Sequence, residues 1–183
     1  MRIISGKAGR TAIKVPAKVT RPTTDFLRQA IFSILGEAVH DKVVLDLYAG
    51  SGAIGLEALS RGAATCTFVE QQRQACSVIG QNLTKSRLEG GRVACSEALT
   101  FLKRDRAHYD LIFADPPYWK HDGDPDHIKE LLEPATARLK RVGWLIAEAS
   151  SNYQAPDVDG LILKDRREYG SSSILLYAPN STT

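Results

Sequence analysis

The chain has 183 residues, 43% hydrophobic and 25% charged, which suits one soluble domain with a sizeable core. No apolar run approaches the roughly 20 residues that a membrane-spanning helix needs, and the opening residues, MRIISGKAGR, hold no apolar stretch of the kind a signal peptide carries. Cys66, Cys76 and Cys95 form no C-x-x-C pair, which argues for thiols in a reducing cytoplasm and against a disulfide or zinc framework, and the net charge of +3 is too small by itself to name a polyanionic partner.

Residues 1–21 read as a short appendage to a domain over 22–183. Two β-leaning pieces, Arg2 to Ser5 and Thr11 to Val15, flank Gly6 and Gly9, and a basic link ends at Arg21-Pro22. Through residue 28 the basic residues are Arg2, Lys7, Arg10, Lys14, Lys18, Arg21 and Arg28, against Asp25 as the one acid. A field of one sign over so short a segment attracts phosphates and points to nucleic acid. The plainer alternative is a solvated basic surface.

Thr23 or Thr24 can cap a helix that carries Ile31, Ile34 and Leu35 on one face and meets Gly36 near its end. Strand-like and helix-like segments then alternate. Val43 to Leu47 leads to a helix through Leu56 and Leu59, and Thr65 to Val69 to a helix through Ile79 and Leu83. Arg92 to Cys95 precedes Ala98 to Arg104, and Leu111 to Ala114 precedes a helix from His127 to Leu139, with Trp144 to Glu148 after it. Leu161 to Arg167 and Ser173 to Tyr177, on either side of Gly170-Ser171, read as an antiparallel hairpin. The expected fold is α/β: a doubly wound, Rossmann-like sheet, mostly parallel, with an antiparallel C-terminal hairpin and a short N-terminal β appendage. Ligands of such sheets lie beyond the carboxyl ends of the strands. Asp46, Glu70 and Asp115 fall at or next to those ends.

The segment DLYAGSGAIGLEAL contains Gly50-x-Gly52-x-x-Gly55 between a strand and a helix, with Glu70 near the distance at which a dinucleotide fingerprint expects its ribose ligand. A nicotinamide-dependent oxidoreductase is therefore one reading, and a ligand-free tight turn another. Asp46 tips the choice of ligand. A carboxylate four residues before the first glycine repels a pyrophosphate and favours a ligand with an ammonium and a sulfonium. S-adenosylmethionine carries both, and its ribose diol suits Glu70. Ser96 and Glu97 follow the third strand, where a side chain could meet the adenine amino group. Glu97 could equally be an acid at a helix start, stabilised by the helix dipole.

In YDLIFADPPYWK an apolar strand gives way to Asp115-Pro116-Pro117-Tyr118. Prolines fix φ and lack N–H groups, so this is a stiff exit with free carbonyls. A carboxylate and a carbonyl held together can accept both hydrogens of an exocyclic amine and orient its lone pair toward a methyl group. Tyr118 adds a flat face for an extruded base. This chemistry needs alignment of donor and amine and requires no metal. His121 and His127, lone histidines near acids, read as solvated residues and not as ligands or acid–base groups.

The combination of DPPY with DLYAGSGAIGLEALSRGA resembles the amino-methyltransferases that use S-adenosylmethionine. The start, MRIISGKAGR followed by RPTTDFLRQAIFSIL, resembles more narrowly the bacterial 16S ribosomal RNA guanine-N2 methyltransferases of the RsmD family, and the likeness runs from Arg2 to the YGSSSILLY hairpin. It implies a donor site at Asp46, Tyr48, Gly50, Gly52, Glu70, Glu97 and Ala98, and a catalytic Asp115-Pro116-Pro117-Tyr118. It also implies RNA contacts from Arg2, Lys7, Arg10, Lys14, Lys18 and Arg21. The donor would be S-adenosylmethionine and the product S-adenosylhomocysteine, with no metal. The partner would be 16S ribosomal RNA or a small-subunit assembly particle, met by a cytoplasmic monomer away from any membrane. DPPY is shared with adenine-N6 and cytosine-N4 DNA methylases, which makes a DNA amino-methyltransferase the nearest rival. A ribosome-assembly factor that binds RNA without catalysis is a rival of another class.

Overall fold

The computed structural model describes residues 1–16, 24–117 and 126–180. Lys18, Arg21, Tyr118, Trp119 and His121 lie outside the described residues, as does the boundary drawn at 21/22.

Among the described residues, one seven-stranded sheet carries the fold. Five parallel strands, β1 (Val43–Leu47), β2 (Thr65–Glu70), β3 (Gly91–Cys95), β4 (Tyr109–Ala114) and β5 (Leu139–Ser150), are joined by the antiparallel pair β6 (Leu161–Tyr169) and β7 (Ser172–Pro179). The spatial order is β3-β2-β1-β4-β5-β7-β6. The helices are α1 (Asp25–Leu35), α2 (Ala53–Ser60), α3 (Arg73–Ser86), α4 (Ala98–Arg104) and α5 (His127–Thr136). None is long and apolar enough to cross a membrane.

Strands buried on both faces read as continuous apolar runs, and β1 and β4 do so because successive residues enter opposite cores. Val44 and Leu111 pack on one face with Leu27 and Ile31 of α1, Leu56 of α2 and Ile79 of α3. Leu45 and Ile112 pack on the other with Leu102 of α4 and Leu131 and Leu132 of α5. Thr24 caps α1 by accepting the Leu27 N–H at 3.1 Å, and Gly36 ends it with φ of 50°.

Two elements differ from the sequence reading. The fifth helix stops at Thr136, short of Leu139. Pro134 in its last turn has no N–H to give, and the Thr136 hydroxyl donates back to the Leu132 carbonyl at 2.7 Å. The Arg138 carbonyl then accepts the Tyr109 N–H at 2.8 Å, which starts β5 at Leu139 rather than near Trp144. At the N-terminus the two β pieces reduce to a single antiparallel bridge, Arg2 with Ala12.

That N-terminal segment is packed down tightly. Every residue of α2 is buried, so the helix needs a cover on its outer side. Ile3, Ala8 and Ile13 supply it from the segment. The Ile4 and Ser5 N–H groups donate to the Glu57 carboxylate at 2.6 and 3.0 Å, and the Lys7 N–H to the Ser60 carbonyl at 2.8 Å. Glu57 is fully buried and also accepts from Arg61 Nε at 2.7 Å, while the buried Arg28 guanidinium lies 3.9 Å away and donates to the Arg2 carbonyl. A Cβ on Gly6 would fall 1.9 Å from the Ser60 carbonyl oxygen, so backbone packs directly on backbone there. The segment turns Ile3, Ala8 and Ile13 inward and leaves Arg2, Lys7, Arg10 and Lys14 exposed.

Candidate active site

β1 and β4 are neighbours, with Leu47 beside Ala114. After β1 the chain departs toward β2 and β3, and after β4 toward β5, so the carboxyl ends of β1 and β4 mark the switch in strand order. A cleft of about 390 Å³ opens at that point, within the range of small-molecule and cofactor sites. Of the residues singled out from sequence, it brings together Asp46 in β1 with Tyr48 and Gly50 after it, Glu70 at the end of β2, Ser96, Glu97 and Ala98 after β3, and Asp115, Pro116 and Pro117 after β4.

Gly52 does not line the cleft. Its φ of 78° calls for glycine, and a Cβ there would meet Ile79 and Phe68 at 3.2 and 3.3 Å, inside the core. Gly55 is needed for packing as well, since a Cβ would come within 2.3 Å of the Phe68 ring. The exposed cations Arg2, Lys7, Arg10 and Lys14 do not line the cleft; they lie on the N-terminal segment, where Lys14 Nζ donates to Gln81 Oε1 at 2.8 Å.

Two carboxylates organise the glycine loop. Asp46 is buried, with Oδ2 accepting the Gly55 N–H at 2.9 Å. Burial pushes its pKa up to about 7; the Gly55 contact opposes that rise and the nearby Glu70 adds to it. Glu70 accepts the Gly50 N–H at 2.9 Å through one oxygen and the Gln72 N–H at 2.8 Å through the other. The Gly50 amide, one that would cradle a pyrophosphate, thus already faces a carboxylate, and two acids line this wall of the cleft. Tyr48 holds φ at 59°, rare for a residue with a side chain, and burial followed by the charges of Glu97 and Glu130 raises its phenol to about 12.

Glu97 is the N-cap of α4, accepting the Leu99 and Thr100 N–H groups at 2.8 and 2.6 Å. Burial alone would raise its pKa, and the two amides, with the Thr100 hydroxyl and the charge of Lys103, together outweigh it, so the carboxyl titrates below its usual range. It therefore does the work of the helix-start acid while its residue still faces the cleft. Ala98, the first helical residue, brings a helix N-terminus to the same wall, where N–H groups lack helical partners.

Several cleft residues escaped the sequence reading. Glu148, near the end of β5, accepts from the Ser172 hydroxyl at 3.1 Å. It had a signal, since it is an acid closing an apolar strand in the manner of Asp46 and Glu70. Phe26, Tyr169 and Ser172 had none, because α1 and the β6–β7 hairpin meet the cleft only through the tertiary fold. His127, read from the sequence as a solvated residue, also lines it, with Nδ1 3.7 Å from Glu130 Oε2.

A family described as conserved hypothetical protein 95 matches residues 1–178. Ribosomal RNA small subunit methyltransferase D of Escherichia coli strain K12 is 35% identical over 162 residues, spanning 88% of this chain and 77% of that protein. The chain belongs to the RsmD family of ribosomal RNA methyltransferases. A second relative in it, the putative rRNA methyltransferase YlbH of Bacillus subtilis strain 168, is 34% identical over 185 residues, covering 97% of this chain and 98% of its own. The solved structure of the putative methyltransferase yhhF from Escherichia coli superposes with a TM-score of 0.85 at 29% identity, over 100% of this chain and 99% of that one. The doubly wound sheet with its antiparallel end is thus the family's fold.

Proposed function

We propose that this chain transfers a methyl group from S-adenosylmethionine to the exocyclic N2 amine of a guanine in 16S ribosomal RNA. The observation that carries the reading is the meeting, in one cleft, of the acid-lined glycine loop with Asp115-Pro116-Pro117. The residues present suit the donor. Asp46 offers a buried carboxylate for positive charge, Glu70 lone pairs for ribose hydroxyls, and Tyr48 and Gly50 the turn that lets the ligand approach. The helix start at Ala98 offers an N–H donor for the adenine ring, with Glu97 beside it. When bound, the donor supplies an electrophilic methyl group on a sulfonium.

The chain's own groups do the rest. The Asp115 carboxylate and a carbonyl of the stiff Pro116-Pro117 exit accept the two N–H bonds of the amine, fixing its lone pair toward the methyl group. As the new N–C bond forms, the S–C electron pair stays on sulfur and the amine proton passes to Asp115 or solvent. Tyr118, next along the chain, supplies a stacking face for the target base. Arg2, Lys7, Arg10 and Lys14, with Lys18 and Arg21, hold RNA phosphates; the exposure of the first four on the packed backbone of residues 1–16 supports this role. In this reading 1–21 is the RNA-holding part and 22–183 the methyltransferase domain.

The same chemistry on DNA is less favoured, because the family relatives are named for ribosomal RNA. The test is methyl transfer from isotopically labelled donor to unmethylated small-subunit particles, with free 16S RNA and duplex DNA in parallel. Transfer to the particle or RNA that Asp115→Ala abolishes supports the reading. Transfer to DNA alone would overturn it.

A further inference from the structure

At the mouth of the cleft two aromatic residues from distant parts of the chain meet. Phe26 lies in the first turn of α1 and Tyr169 at the end of β6, with ring centroids 5.8 Å apart and planes at 76°. Both line the cleft that contains Asp115. Phe26 is 67% exposed, the one aromatic among the exposed large hydrophobic side chains of the described residues. The helix does not require an apolar residue at this position. Leu27, Arg28, Ile31, Phe32 and Leu35 make the buried stripe of α1, and Phe26 falls off it.

Leaving most of a phenyl ring in water forfeits the burial that makes aromatics useful in a core, so the ring's position calls for an occupant. An edge-to-face contact engages at most one face of one ring, and the exposure of Phe26 leaves room for a second flat partner. Position identifies that partner. The target base must enter the cleft to reach Asp115, whereas Phe26 stands at the rim, where the chain flanking an extruded nucleotide passes. Unpaired bases beside such a nucleotide lose their stacking partners and regain them on aromatic side chains.

We infer that Phe26, braced by Tyr169, is a stacking platform for the RNA base next to the target guanine. The inference rests on the RNA-methyltransferase reading above and adds a subsite to it. Phe26 is a positioning residue, acting on the RNA and not on the reacting atoms.

The experiment compares wild type with Phe26→Ala, Phe26→Leu and Phe26→Trp, measuring kcat and KM for unmethylated small-subunit particles, RNA affinity against salt, and donor affinity by calorimetry. The loss of one stacked base predicts roughly 5- to 150-fold weaker RNA binding for Phe26→Ala, seen in KM. Phe26→Leu should be as weak, because it keeps apolar area and loses the flat face, and Phe26→Trp should restore binding. Stacking releases no counterions, so the slope of affinity with salt should stay at its wild-type value, as should donor affinity. An Ala variant with wild-type KM, or a Leu variant that binds as well as wild type, would overturn the platform. If the wild type transfers no methyl group to RNA, the reading beneath it fails first; if it does and Phe26→Ala matches it, the subsite alone fails.

Discussion

Replacing Asp46 by Asn should make the ligand-free protein more stable and the donor site worse. The Asp46 carboxyl is buried, and its pKa moves from 3.8 to about 7 because burial disfavours the charged form. At about 1.4 kcal/mol per pH unit, holding that charge at pH 8 costs the fold about 4 kcal/mol. An acid whose folded pKa is raised contributes fully below its unfolded value and loses that contribution as pH rises to its folded value, here between about 4 and 7. Asn keeps an oxygen for the Gly55 N–H and does not titrate, though its own amide must be buried. The expected gain at pH 8 is therefore about 2–4 kcal/mol, or roughly 4–16 °C in melting temperature, shrinking toward zero near pH 4. Donor affinity should change in the opposite direction. In the wild type a cationic donor must displace the Asp46 proton at low pH, so affinity should fall about tenfold from pH 8 to pH 6, with a proton released on binding. Asp46→Asn should bind at least tenfold more weakly at pH 8 and show no such trend. Calorimetry in two buffers of different ionisation enthalpy reads affinity and proton release together. Equal melting curves at pH 8, with donor affinity unchanged, would refute the reasoning.

Glu57→Gln should cost about 3–5 kcal/mol in thermal or urea unfolding, because it removes the buried counter-charge of Arg28, leaving only half-exposed Asp25 at 3.1 Å, and loosens the N-terminal segment. Gly55→Val should lower stability by more than about 3 kcal/mol, since a Cβ would overlap the Phe68 ring and the Cys66 sulfur, and the soluble yield and melting temperature would report it. Lys7→Glu with Arg10→Glu, both exposed, should weaken RNA binding and flatten its salt dependence while leaving melting unchanged; this is a cleaner test than truncation, which would remove Ile3, Ala8 and Ile13 and uncover α2.

The central parallel strands were legible because burial on both faces leaves apolar runs such as VVLDL and LIFA, which need no partner to be recognised. The acids at strand ends were legible for the same reason, as the charged position at or next to the end of each run. The glycine loop was recognisable as a ligand loop, yet the roles of its members were not. Gly52 and Gly55 answer to Ile79 and Phe68, side chains well separated from them in sequence. The N-terminal segment looked like an appendage because its buried hydrophobic residues Ile3, Ala8 and Ile13 recur every five positions, with buried Pro16 three further on, a spacing of neither helix nor strand. Glu57 sat in an ordinary helical pattern, and its burial depends on backbone donors more than fifty residues earlier. The start of β5 was hidden by Lys140-Arg141-Val142-Gly143, which reads as a turn and is a break in register between Tyr109 and Leu111.

The central claim is that Asp115-Pro116-Pro117 presents a guanine amine to the methyl group. Its most direct measurement is mass spectrometry of nucleosides digested from small-subunit particles treated with donor carrying a deuterated methyl group. The account predicts deuterated N2-methylguanosine with the wild type, and its loss with Asp115→Ala even though calorimetry finds donor affinity nearly unchanged. Deuterated N6-methyladenosine, or undiminished N2-methylguanosine from the Asp115 variant, would contradict it.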